Sequence, residues 1–290
     1  MAVIWHRYRS LGVRLLTLVL LSLALIVSRA EPAWSLLLTS EAILNRAEQA
    51  LTHPEGVVWT LNVDVDEGER SLSRTLLVTA KGANVLAEML RPREMQGQLI
   101  LRSGDRFWAI NPGVALPDSL KPSNSYLGPV SYACLMPIDL LANYEVEEVG
   151  EDSAYGEACF LFIMRGRKGS GEYDTLRVWI SKSRLVAVKI NFYTPSGRFL
   201  KSAYLKYEHE ALVDGEMRPF LSDMDIRSGI FSDASAVLEW SPPQFLNIPA
   251  DTFELRTLLG QEAYEELQRE EAKRQHAEPS TPDRNETDGE

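Results

Sequence analysis

Cysteine and histidine are scarce in this 290-residue chain, with two of the first and four of the second. His6 falls in an apolar N-terminal segment and His276 in an acidic tail, which leaves His53 and His209 for any central site. A lone histidine on a strand or helix end packs or solvates far more often than it catalyses. The motifs of nucleophilic, metal-hydrolytic and nucleotide chemistry are missing: there is no GxSxG, no HExxH, no pair of histidines at metal spacing and no Walker loop. CxxC is absent too. Gly166-Arg167-Lys168-Gly169-Ser170-Gly171 has the look of a phosphate cradle, but no helix follows it, so it reads as a hairpin tip. Asp64, Asp66, Glu67 and Glu69 lack the third ligand, central glycine and distal glutamate of a calcium loop and read as a solvated hairpin end. With no nucleophile beside a base, the expectation is a protein that is not an enzyme and that uses no metal or cofactor.

Positive charge is also short. Thirty Lys and Arg face 41 Asp and Glu, a net −11, and four of the arginines sit in the first thirty residues with no acid, so the remainder carries −15. Such a surface repels phosphate backbones and anionic headgroups, and nucleic acid is excluded as a partner. Arg91, Arg93 and Arg102 are scattered cations that could greet an anion at a cavity mouth, although surface solvation is their default. Long apolar runs are limited to one, Leu15 to Val27, which follows the basic stretch Met1 to Arg14 and ends at Ser28-Arg29-Ala30. This is the pattern of a signal peptide over 1–30, cut after Ala30. The run falls short of the roughly twenty residues that span a bilayer, and an uncleaved anchor is the alternative only if Leu11 to Val27 is stretched into a short span. No cysteine lies near the cut, so the exported chain is not itself a lipoprotein. Cys134 and Cys159 are either a disulfide, worth about 3 kcal/mol for a loop of this size, or two buried small hydrophobes.

What is present is periodicity. Ile43, Leu44, Ala47, Ala50 and Leu51 share one face behind a Thr39 or Ser40 cap, which predicts a helix ending before Pro54. From Val57 the period changes to two: Trp59, Leu61, Val63 and Val65 alternate with Thr60, Asn62, Asp64 and Asp66. Strand patterns follow over 72–81, 84–91, 97–102, 106–110, 145–150, 158–165, 173–181, 185–193, 199–208, 217–227 and 234–241, many of them separated by tight-turn residues. Parallel pairing needs long crossovers that are missing here, so the fold class is mainly β with a few helices: a meandering antiparallel sheet of about eleven strands, which must curl. Residues 111–144 interrupt the meander with several prolines and one short helical pattern over 137–143, and an excursion of this length is functional or a cover. Residues 261–275 are helical in pattern, and the segment 261–290 carries a net −6, which predicts a frayed or disordered acidic tail.

If the alternation holds, one face carries Trp59, Leu61, Val63, Leu76, Val78, Val85, Met89, Leu99, Leu101, Trp108, Ile110, Phe160, Phe162, Val178, Ile190, Phe192, Leu238 and Trp240. The other carries Thr60, Asn62, Thr75, Thr79, Gln98, Arg102, Arg177, Lys189, Asn191 and Glu239. The apolar face is then either a helix-packed core or a hollow under mobile helices. Leu101-Arg102-Ser103-Gly104-Asp105-Arg106-Phe107-Trp108-Ala109-Ile110-Asn111-Pro112 resembles a segment of the LolA-type lipoprotein carriers. The stretch from Leu238-Glu239-Trp240 to Ile248-Pro249 and Phe253 resembles their closing strand. Tyr173 to Ile180, Val186 to Tyr193 and Leu200-Lys201 resemble the hairpin between. The closest likeness is to the longer subgroup of outer membrane lipoprotein-sorting proteins in the LolA/LolB-like superfamily, over residues 40–260.

The resemblance implies one lipid- or lipoprotein-binding domain over 31–260, an unclosed β-barrel lidded by helices, located in the periplasm. It implies that Trp59, Leu61, Val63, Leu76, Val78, Met89, Leu99, Leu101, Trp108, Phe160, Phe162, Val178, Phe192 and Trp240 line an acyl cavity. A monomer carrying acylated lipoprotein or lipid and loaded by an inner-membrane transporter complex is the expected role. A lipid sensor or an accessory subunit of such a transporter, without carrier activity, is the alternative. Where the carriers have an arginine near the end of the second strand that engages the lid, this chain offers Lys81.

Overall fold

The computed structural model describes residues 39–52, 56–136, 139–167, 173–213 and 215–277. The signal-peptide reading over 1–30, His53 and the chain beyond 277 lie outside them. The unit Ala42–Glu290 holds all that follows except the first two residues of the first helix.

Helix α1 (Ser40–Glu48) buries Ile43, Leu44 and Ala47, the face its spacing predicts. The alternating stretch then folds into long neighbouring strands: β1 (Val57–Glu67), β2 (Ser71–Lys81), β3 (Asn84–Arg91), β4 (Leu99–Ser103), β5 (Arg106–Ile110) and the two-residue β6 (Asp118–Ser119) lie side by side in chain order. Two of their hairpins turn at Gly82 and Gly104, whose φ values of 59° and 61° fall in the left-handed region. Each glycine is the first residue of a two-residue loop, where a side chain would be strained and glycine is not.

After β6 the chain leaves the sheet. It forms a small hairpin, β7 (Ser125–Leu127) with β8 (Val130–Ser131), a tight turn over Tyr132–Leu135 and the one-turn helix α2 (Leu140–Asn143). The sheet resumes with β9 (Tyr144–Ala154), β10 (Glu157–Gly166), β11 (Thr175–Ser181), β12 (Ala187–Tyr193) and β13 (Phe199–Lys206). A separate hairpin, β14 (His209–Val213) with β15 (Glu216–Phe220), precedes β16 (Asp223–Ser228) and β17 (Ala234–Trp240). The strand expected over 217–227 is therefore two, parted at Leu221-Ser222. There the Ser222 hydroxyl accepts from the Glu208 amide and donates to the Asp223 carboxylate, holding the chain in a corner.

Strand β17 pairs with β1, from Leu61 opposite Trp240 to Glu67 opposite Ala234, so two antiparallel meanders meet in mid-sheet. With β18 (Gln244–Phe245) on the start of β1, the sheet has 14 strands. Strands β6 and β9 are its two ends and do not pair with one another, so the barrel is unclosed. This order has a direct consequence. The chain between β6 and β9 must travel from one edge of the sheet to the other, and it does so across the concave face. The C-terminal segment takes the opposite side: helices α3 (Leu255–Leu259) and α4 (Gln261–Ala277) cover the outer face of β4 and β5, packing Phe253, Leu255 and Leu267 on Leu101 and Trp108.

Candidate functional site

Register decides which side chains face inward. Trp59, Leu61 and Val63 of β1 share the inner face with Leu76 and Val78 of β2 and Met89 of β3. From the other meander come Phe162, Val178 and Phe192, with Phe160 and Trp240 half-buried at its margins. All of these were expected there. Leu99, Leu101 and Trp108 were expected with them and are not: Ile100 opposes Ala87 and Phe107 opposes Arg102, so Ile100, Arg102 and Phe107 point inward while the other three point outward. Leu101 and Trp108 are buried under the C-terminal helices instead. Leu99, Ile100 and Leu101 are consecutive and all apolar, so composition cannot set the parity of β4, and a shift of one residue exchanges its faces. Arg102, assigned to the solvent side, thereby becomes an inner-face residue.

The inner face is covered. Val130, Ala133, Cys134, Leu135, Met136 and Leu140 of the crossing segment, with Ile43, Leu44 and Ala47 of α1, are buried in the same cluster as the strands' inner side chains. One pocket between cover and sheet, beside Trp59, Leu135, Met136 and Trp240, has a volume of about 30 Å³. That admits water, not an alkyl chain.

Polar contacts fasten the α2 end of this cover. Asp139, just before α2, accepts a hydrogen bond of 2.6 Å from Arg102 Nη2, and the two side chains are only 15% and 5% exposed. Arg102 also donates from Nε to the Gly104 carbonyl and stands over the Phe107 ring, so contacts within its own hairpin help to position it. Glu48, at the end of α1, accepts from the Leu141 amide at 3.0 Å and so supplies α2 with an N-terminal partner. Burial raises the Glu48 pKa above the ordinary glutamate value, with the nearby Asp139 charge adding to it against the Leu141 and Leu140 amides. The two covers are thus joined to each other and clipped to the sheet. Lys81 has no part in this, because its ammonium donates to the Ile248 carbonyl. The arginine that engages the cover comes from β4 and not from β2, and its signal in the sequence was the charge of Arg102 inside an otherwise apolar strand.

Cys134 and Cys159 are both buried free thiols, so the disulfide alternative is set aside. Cys134 belongs to the cover cluster and Cys159 to a separate outer cluster with Trp179, Val186 and Val188, because neighbouring residues of β10 point to opposite faces. His209 Nε2 bonds the Trp240 carbonyl at 2.7 Å. Among the described residues no cluster of three metal-ligating side chains occurs, and no helix is long and apolar enough to cross a membrane.

A family model described only as "Uncharacterized protein" matches residues 81–259, more than half of the chain. The chain belongs to that family. Its fold is the LolA-like one. A LolA superfamily protein from Nitrosomonas europaea superposes with a TM-score of 0.66 at 24% identity, over 74% of this chain and 97% of its own. A protein described as an outer membrane lipoprotein-sorting domain, from Vibrio parahaemolyticus, gives 0.64 at 16% identity, over 75% and 97%. A DUF1329 family protein from Desulfovibrio piger gives 0.61 at 18% identity, over 74% and 96%. No curated protein matches the chain. In this LolA-like fold the crossing segment covers the inner face of the sheet, and the Arg102–Asp139 pair is one of its fastenings.

Proposed function

We propose that the protein is a periplasmic carrier that shelters the acyl chains of a lipid or lipoprotein on its concave face during transfer toward the outer membrane, without catalysing a reaction. The reading of residues 1–30 as an export signal supports the compartment. One observation carries the rest: the apolar inner face is closed by a thin cover of α1, residues 120–136 and α2, fastened by the buried Arg102–Asp139 pair and a few hydrogen bonds, where a second sheet would have closed it for good. Lifting that cover uncovers Trp59, Leu61, Val63, Leu76, Val78, Met89, Phe160, Phe162, Val178, Phe192 and Trp240 as one acyl-binding surface.

Cargo energetics fit a lid of this kind. Each methylene buried is worth about 0.8 kcal/mol, so an open groove would hold long chains too tightly to release them. Here the cover side chains occupy the face when no cargo is present, and a ligand gains only the difference between its own burial and theirs. An inner-membrane transporter complex that loads cargo would supply the opening. The test is transfer of a fluorescent acylated peptide from donor to acceptor vesicles by the purified protein. Transfer above the uncatalysed rate supports a carrier. Binding with no transfer points to a sensor or accessory subunit, and neither binding nor transfer overturns both.

A further inference from the structure

Lys201, on the inner face of β13, is a lysine where lysines are seldom found: it is 6% exposed. The lysines that form ion pairs among the described residues are Lys182, Lys206 and Lys273, and Lys201 is not one of them. Its ammonium donates to the Pro129 carbonyl at 3.1 Å, to Ser131 Oγ at 3.1 Å and to Cys134 Sγ at 3.3 Å. Ser131 Oγ in turn bonds the Tyr173 hydroxyl at 2.7 Å. The rings of Tyr173 and Phe192 flank the ammonium, each with its centroid 5.3 Å away.

The ammonium's three hydrogens are taken by a carbonyl, a hydroxyl and a thiol, and Ser131 Oγ bonds Cys134 Sγ as well as the Tyr173 hydroxyl. No carboxylate stands among these partners, so a desolvated positive charge is met here by dipoles alone. The cluster also opens to the outside. Lys201, Ser131 and Tyr173 line a recess of about 260 Å³ whose apolar wall includes Leu200 and the exposed Ile230 and Phe231, 45% and 64% exposed. The one acid on its lining is Glu67, at the rim of β1.

We propose that this recess binds an oxyanion that carries an alkyl chain, with the carboxylate or phosphate received by Lys201, Ser131 and Tyr173 and the chain lying along Leu200, Ile230 and Phe231. The overall negative charge of the protein makes such a site selective, because it disfavours anions everywhere except at this cluster. The site goes beyond the acyl-carrier reading and does not need the cover to lift, so it can stand or fall without vesicle transfer.

The experiment is displacement of a fluorescent fatty-acid probe from the full chain by palmitate, by lysophosphatidate of the same chain length and by the neutral monoacylglycerol. Hydrogen bonds to charged groups predict that the anionic ligands bind about 10- to 100-fold more tightly than the neutral one. Preference for the carboxylate, for the phosphate or for both identifies the source of the head. Lys201→Met is expected to erase the preference while leaving neutral binding in place. Glu67→Gln, at an exposed position that leaves the fold intact, is expected to tighten both anions several-fold and the neutral ligand not at all. Equal binding of charged and neutral ligands by the unmodified protein overturns the proposal and leaves Lys201 as a clip that holds the cover to the sheet. So does a Glu67→Gln effect shared by all three ligands.

Discussion

Breaking the Arg102–Asp139 pair is the most direct way to ask whether the cover is a lid. Asp139→Asn removes the carboxylate charge from beside Arg102, which keeps the Gly104 carbonyl and the Phe107 ring, in a site where its side chain is 5% exposed. Losing one partner of a buried pair costs about 3–5 kcal/mol when nothing else compensates. The two retained contacts place Asp139→Asn near the lower figure, about 3 kcal/mol. Arg102→Met leaves the more exposed Asp139 able to reach water, and its cost falls below that. Replacing both, with Leu at 139, strands neither charge, so the double variant should lie closer to the unmodified protein than the sum of the singles, with a coupling of roughly 2 kcal/mol. Urea denaturation measures the cycle. An environment-sensitive apolar dye, added without denaturant, reports whether the loss is local: a cover released from the sheet exposes the Trp59 face before the strands unfold. About 3 kcal/mol is roughly a hundredfold increase in the open population. Additive single substitutions would refute the pair as a fastening. An Asp139→Asn protein that loses stability without binding more dye would refute the cover as a separately opening element.

Glu48→Gln keeps an acceptor for the Leu141 amide and removes the charge that burial disfavours. Because the folded state holds the Glu48 proton more firmly than the unfolded chain, stability from this group is present below the ordinary glutamate pKa and is lost as pH rises through the raised value; the Gln variant should flatten that part of a melting-temperature against pH curve. Leu135→Ala and Leu101→Ala should each cost about 2–5 kcal/mol, one under the cover and one under the C-terminal helices, but only the first should change dye or acyl-chain binding. Dithiothreitol should leave the melting temperature unchanged, both thiols being free. Gly56→Ala would bring a methyl group to 2.2 Å from the Leu246 carbonyl oxygen, forcing β18 off β1, and should destabilise by about 1–3 kcal/mol in a chemical melt.

The long strands were legible because their two faces differ. In β1 every inward residue from Val57 to Val65 is apolar and the outward ones from Thr60 are polar, so period two fixes both the element and its orientation. Strand β4 has Leu99, Ile100 and Leu101 in a row, and there the pattern gives a strand but no parity, which is how Leu101 and Trp108 came to be expected inside. The outer face of β4 and β5 is apolar because a C-terminal helix packs on it, a tertiary fact invisible in a chain whose last helix reads as charged and solvated. The short strands β6, β7, β8 and β18 carry two or three residues each, too few for any period to register. The fastening was hidden for a different reason. Arg102 and Asp139 are 37 positions apart, and nothing in either neighbourhood announces the other. Only the placement of β6 and β9 at opposite ends of the sheet brings Asp139 over β4.

That placement also bears on why a lid should exist in this topology at all. Two antiparallel meanders joined at β1 and β17 leave their free edges far apart along the sheet, and the chain connecting those edges has two routes. Across the convex side it would compete with α3 and α4 for Leu101 and Trp108; across the concave side it finds a large apolar face already curled around it. The crossing is therefore driven by burial, but it is tied down by few backbone hydrogen bonds, since a segment crossing over a sheet cannot join its ladder. Its contacts with the face are side-chain contacts of Val130, Leu135, Met136 and Leu140, the kind that an alkyl chain can replace almost one for one. What the alkyl chain cannot replace are the polar bonds, Arg102 to Asp139 and Lys201 to Pro129 and Ser131. If the protein is the carrier proposed above, its polar fastenings, more than the apolar packing, set the threshold for opening.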